Sequence, residues 1–200
     1  MQVMLIPEQK KALIVHSKVA STALKQAVAA ANGVKLKPFE LGKHGWHKRA
    51  TFDLGNYIHK GVPHGYEAAT VVRHPADRMV SAYVNVLSNS THWIAKNPIH
   101  DVGELIELMS LNQKMLIRDV HLRPQFFAVA AARTRDLKFW RMEEGGVEEA
   151  CKWIGVSVPR NVKSEQSVNL NWRDELDEQQ RICCEMFYKC DYKAFGYNRG

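Results

Sequence analysis

The stretch Glu67-Ala-Ala-Thr-Val-Val72-Arg73-His-Pro75-Ala-Asp-Arg78-Met-Val-Ser81-Ala-Tyr83-Val-Asn85 decides the fold class. Its first six residues make an apolar run of strand length. His74-Pro75 interrupts the chain, because a residue before proline avoids helical dihedrals, and Ala76–Leu87 resumes with helical spacing. The stretch therefore reads as strand, turn and helix, with Arg73 where the strand ends. Upstream, Ala12–His16 is a short branched apolar run ending in a polar turn, followed by the Ala/Leu/Lys/Gln-rich helical segment Ser21–Ala31, stopped at Asn32-Gly33. Downstream, Leu137–Met142 predicts a third core strand, punctuated by Gly145-Gly146 before a helical Val147–Trp153. Repetition of this unit predicts an α/β fold with a central parallel β-sheet flanked by helices.

The remaining segments read more coarsely. Val34–Leu41 suits a strand and Gly42–Arg49 a loop, while Val102–Met115 is amphipathic and predicts a helix. Asp174–Lys189 predicts one long helix under Asn171 or Asp174 as cap, followed by an irregular tail, Asp191–Tyr197. No internal repeat, low-complexity linker or shift in composition divides the chain, so residues 1–200 are expected to form one domain.

Composition narrows the function classes. The chain has 200 residues, 46% hydrophobic and 24% charged, which suits a globular core rather than disorder. Its longest apolar run, Phe126–Ala132, is far short of the roughly 20 residues of a spanning helix, so no stable membrane insertion is expected. Met1–Gln9 has no basic-then-apolar signal layout, which leads to a cytoplasmic expectation. Cys151, Cys183, Cys184 and Cys190 lack paired metal-ligand spacing and are expected to be reduced thiols, with Cys183, Cys184 and Cys190 buried in a helix; a zinc site is not expected. The net charge of +7 favours anionic partners. The basic residues are dispersed, with no recognition helix or aromatic-basic interleaving, so nucleic acid is not the expected partner.

Two constellations carry chemistry. In Leu13-Ile-Val-His-Ser-Lys18-Val-Ala-Ser21-Thr22-Ala-Leu24, a strand delivers Lys18 into a turn, and two hydroxyls open a helix. Free N–H groups and the helix dipole favour an anion there, with Lys18, Ser21 and Thr22 as added donors. The segment lacks the glycines and Gly-Lys-Ser/Thr order of a Walker A loop, and taken alone it also fits an ordinary helix start with a surface lysine. In the second constellation, Arg73 and Lys18 both follow strands, where open α/β sheets bind ligands. Arg78 and Ser81 share a helix face and together suit a second phosphate; an ion pair with Asp or Glu is the alternative for Arg78, and Tyr83 reads as a core aromatic.

The segments Lys18-Val-Ala-Ser-Thr22 and Val72-Arg-His-Pro-Ala-Asp-Arg-Met-Val-Ser-Ala-Tyr83 resemble the two nucleotide-binding signatures of the carbohydrate sulfotransferases that use 3′-phosphoadenosine 5′-phosphosulfate (PAPS). His121-Leu-Arg-Pro-Gln125, Phe139-Trp-Arg-Met-Glu143 and Asp191-Tyr-Lys-Ala-Phe-Gly-Tyr197 resemble further segments of that family, in its order. The resemblance implies a P-loop-like sulfotransferase fold and transfer of a sulfuryl group from PAPS to an acceptor hydroxyl, on a carbohydrate, leaving 3′-phosphoadenosine 5′-phosphate (PAP), without a metal. It places Lys18, Val19, Ala20, Ser21 and Thr22 around the 5′-phosphosulfate and Arg73 and Ser81 at the 3′-phosphate. Arg78 matches a motif position, either at the nucleotide or as a brace for the loop. Two departures stand out: Ser17 precedes the lysine where relatives often have Pro, and the stem and membrane anchor of the Golgi enzymes are not in this sequence.

Sulfuryl transfer, like phosphoryl transfer, relies on positioning and on neutralising charge at the leaving oxygen, a role for Lys18. The acceptor hydroxyl must also lose a proton, which suits histidine. His47 and then His44, in the loop between the two signatures, are the first candidates, and His121 is the third. Two other classes compete. A P-loop-like kinase needs Ser or Thr directly after the lysine, where Val19 stands; a nucleotide- or anion-binding relative without turnover differs only in activity.

Overall fold

The computed structural model describes residues 2–34, 58–87, 99–114, 118–134, 136–159 and 172–198. The strands are β1 (Gln2–Ile6), β2 (Lys11–Val15), β3 (Ile58–His59), β4 (Glu67–Val72) and β5 (Leu137–Arg141). The helices are α1 (Ser21–Ala31), α2 (Pro75–Leu87), α3 (Val102–Leu111), α4 (Gln125–Ala131), α5 (Gly146–Trp153), α6 (Trp172–Glu175), α7 (Glu178–Phe187) and α8 (Lys189–Phe195). The chain clusters into two compact units, Met1–Val72 with Ala128–Val162, and Arg73–Phe127 with Lys163–Gly200.

The first unit holds a five-stranded sheet in the order β3-β1-β2-β4-β5. The pairs β2–β4 and β4–β5 are parallel, as the repeated strand-turn-helix pattern requires. The β1–β2 and β1–β3 pairs are antiparallel, so the sheet is mixed. The hairpin β1–β2 was not expected. It turns through the short helical Pro7–Gln9 and a left-handed Lys10 (φ 50°), whose N–H donates to the Pro7 carbonyl at 3.0 Å. β5 was expected as a core strand but is an edge strand with no fully buried residue, because only its β4 side is paired among the described residues.

Period-two alternation sends each strand's side chains to two faces, and both faces are covered. Met4, Ile6, Leu13 and Val15 pack under Leu24, Ala27 and Val28 of α1 and Val147, Ala150 and Cys151 of α5. Val3, Leu5, Ala12 and Ile14 pack with Ala128 and Ala132 on the opposite face. Gly146 starts α5 close to the strand it follows: a Cβ there would lie 2.5 Å from the Arg141 carbonyl oxygen, so no larger residue fits this approach.

The second unit is helical. Ala76, Met79, Val80 and Tyr83 on α2 face Val102, Leu105, Ile106 and Met109 on α3, both sets at i, i+3, i+4, i+7 spacing. Helix α3 ends at Leu111, short of the expected Met115, because Asn112 leaves helical dihedrals (φ −139°, ψ 74°). The single helix expected over Asp174–Lys189 is three. Asp177 and Gln180 form a reciprocal capping box that starts α7, and Tyr188 separates α7 from α8. The expected tail is helical to Phe195, stopped by a left-handed Gly196 (φ 64°). Asn171, the other expected cap, lies outside the described residues. All four cysteines are free thiols; Cys151 and Cys184 are buried, whereas Cys183 and Cys190, expected to be buried, are only half-buried on their helices, and burial pushes the Cys184 thiol far above its ordinary range. No helix among the described residues is long and apolar enough to cross a membrane.

Candidate active site

In the first unit, β2 runs directly into the loop His16–Ala20 and then α1. Two residues of this loop have positive φ, Lys18 at 65° and Ala20 at 44°. For residues with a Cβ this backbone is strained by on the order of 1–3 kcal/mol each. Left-handed residues in a short turn bring successive N–H groups toward one side, the arrangement that receives anions. Ala20 is also the N-cap of α1, and its methyl group has no oxygen with which to cap the helix. The first turn holds no acidic residue, so the positive end of the helix dipole is not neutralised from within the turn. Lys18, Ser21 and Thr22 are all part-exposed, while Val19 is fully buried and anchors the loop in the core. Lys25, one turn further along α1, has its ammonium held below the ordinary lysine range by burial.

Under this loop lies a polar pair that sequence reading left unassigned. The Thr70 hydroxyl donates to the Ile14 carbonyl at 2.8 Å and meets His16 Nε2 at 2.9 Å, both residues being buried. A hydroxyl has one proton, so with it on Ile14 the imidazole donates from Nε2. His16 is thus tied across the β2–β4 pair at the residue where the loop begins. A buried Thr in an otherwise apolar strand was the available sequence signal.

The second unit holds the chain after β4. The β4–β5 ladder ends at Val72–Arg141, leaving the backbone groups of Arg73 to find other partners. Gln125 supplies both. Its Oε1 accepts from the Arg73 N–H at 2.9 Å, and its Nε2 donates to the Arg73 carbonyl at 2.8 Å. The Asp191 carboxylate in turn accepts from the backbone N–H of Gln125 at 2.9 Å and of Phe126 at 2.8 Å, capping α4. His74 is held edge-on by Tyr192 and Tyr197, with ring centroids 5.4 and 5.2 Å away.

Arg78 is only 1% exposed. Its guanidinium donates to the carbonyls of His121 (2.8 Å), Leu122 (3.2 Å) and Arg123 (2.7 Å) and lies over the Tyr188 ring at 5.6 Å. Tyr188 adds a hydroxyl bond to the Leu122 carbonyl at 2.8 Å. Of the two alternatives for Arg78, this geometry is that of a brace. Burial raises the Asp191 carboxyl above its ordinary range, while the Arg78 charge and the donors on Phe126 and Gln125 act in the opposite direction. His121 donates its backbone N–H to Asp119 at 2.7 Å, and its side chain is partly buried. Ser81 is part-exposed on α2, three residues beyond Arg78.

The structure therefore joins Lys18, Val19, Ala20, Ser21 and Thr22 in one loop, and it joins Arg73, Arg78 and His121 through the polar network around Gln125 and Asp191. His44 and His47 lie outside the described residues. The sulfotransferase family model matches residues 10–198, and the chain belongs to the sulfotransferase family. No curated protein and no solved structure matches it.

Proposed function

We propose that the chain, as one domain over residues 1–200, transfers a sulfuryl group from PAPS to an acceptor hydroxyl on a carbohydrate. The observation that carries this reading is the loop Lys18–Thr22: inside a family match over nearly the whole chain, it combines two left-handed residues, an uncapped helix start and a lysine. Those features fit a dianionic group, which is what the 5′-phosphosulfate presents. PAPS supplies an activated sulfuryl group whose departure leaves negative charge on a phosphate oxygen. The Lys18 ammonium neutralises that oxygen, while Ser21, Thr22 and the first N–H groups of α1 orient the group without following the charge. Arg73 and Ser81 take the 3′-phosphate, the feature that separates PAP from ADP. His47 accepts the acceptor proton, with His44 and His121 as the alternatives.

The test is PAP release from PAPS against a panel of sugar, phenol and peptide-tyrosine acceptors. Acceptor-dependent release is expected, greatest with sugars. His47→Ala is expected to lower turnover by roughly 10²–10⁴-fold, with PAP affinity unchanged, and the wild-type rate is expected to rise with pH as the imidazole loses its proton. PAP binding with no turnover on any acceptor would instead define a binding relative. Loss in His121→Ala but not in His47→Ala would move the base to His121.

A further inference from the structure

Three segments that are far apart in sequence, at residues 73–83, 121–125 and 191–197, meet at the turn after β4. Gln125 is 1% exposed and Asp191 0% exposed, so each must use its polar atoms internally. Gln125 spends its amide on both backbone groups of one residue, Arg73, and so fixes the peptide planes on either side of that Cα. The amide cannot rotate away, because Asp191 holds the Gln125 backbone at 2.9 Å and approaches its Nε2 at 3.4 Å. Arg78 fixes the preceding turn by three carbonyl bonds. A buried charged residue is an expensive way to hold a turn, and apolar packing would serve for stability alone.

We propose that Gln125 and Asp191 are positioning residues for nucleotide discrimination: they set the Arg73 backbone so that its side chain selects a 3′-phosphorylated nucleotide over its 3′-hydroxyl analogue. This rests on the assignment of Arg73 to the 3′-phosphate. Without the clamp, the Arg73 backbone would lose the two bonds that fix its flanking peptide planes, and a ligand would meet more of the cost of ordering it on binding. The amide's length matters as much as its polarity, since both bonds come from one planar group.

The experiment compares PAP and ADP affinities by calorimetry in wild type, Gln125→Met and Gln125→Glu, with melting temperature followed in parallel. Methionine fills similar volume but can neither donate to nor accept from Arg73. Glutamate keeps an acceptor for the Arg73 N–H and loses the donor to its carbonyl. In Gln125→Met the PAP-over-ADP preference is expected to fall by about tenfold, as for one or two lost hydrogen bonds, with ADP affinity nearly unchanged. Gln125→Glu sets a carboxylate against the Arg73 carbonyl and the Asp191 carboxylate and is expected to lower the preference at least as far as Gln125→Met; whichever variant folds carries the test. A purely structural role would lower the melting temperature and leave the preference intact; an intact preference in a folded variant overturns the proposal. A wild type with no preference for PAP overturns the assignment of Arg73, and this proposal falls with it.

Discussion

The chain leaves β2 and β4 by the same strand-turn-helix construction, and the two turns are stabilised by opposite means. After β2, strained Lys18 and Ala20 lead into a helix without a side-chain cap, and His16 at the start of the loop bonds Thr70 of β4. After β4, the turn is held from far along the chain by Gln125, Tyr192 and Tyr197, themselves fixed by Asp191 and the region around Arg78. The contrast suits two tasks. On the proposed function, the first loop meets the transferring group and Arg73 holds a stationary phosphate, a task that benefits from being held still.

The sharpest way to break this comparison is Arg78→Met. It removes three hydrogen bonds to carbonyls and the nearby positive charge that favours the Asp191 carboxylate, and is expected to cost about 3–5 kcal/mol in denaturant unfolding. A loss below 1 kcal/mol would show that the second turn does not depend on its remote brace. Lys18→Ala is expected to act differently, lowering turnover by about 10²–10³-fold while stability and PAP affinity change little. Normal turnover would remove Lys18 from the chemistry. Thr70→Val keeps shape but strips His16 of its hydroxyl partner, with an expected loss of about 1–2 kcal/mol. The smallest effect is expected from Ala20→Gly, which relieves a left-handed backbone and should raise stability by up to about 1 kcal/mol, net of the greater freedom of the unfolded chain. A clear destabilisation would mean that the strain is not where the backbone places it.

Much of the fold was legible because its signals are local. The runs Ala12–His16 and Glu67–Val72, each ending at a polar turn before a helix, define the parallel pair, and Pro75 locates the second turn. What was missed locally had a visible cause: Asp177 and Gln180 stand at capping-box spacing inside a segment whose helical composition masked the break. The β1 hairpin was passed over because a five-residue terminal strand before Pro7 carries little periodicity. The brace belongs to a different class. Gln125 acts on Arg73 from 52 residues away, and Asp191 on Gln125 from 66, so no spacing rule links them. Their motifs could be seen only through family resemblance, which gave them no role.

On the proposed function, Arg73 reads the 3′-phosphate of a 3′-phosphoadenylyl nucleotide. Calorimetry of the wild-type protein with PAP, ADP, AMP and ATP tests it most directly. PAP is expected to bind tighter than ADP by about tenfold or more, since hydrogen bonds to a charged phosphate are worth about 1.5–3 kcal/mol, and Arg73→Ala is expected to remove that advantage while leaving ADP unchanged. Equal affinity for PAP and ADP in the wild type would contradict the account.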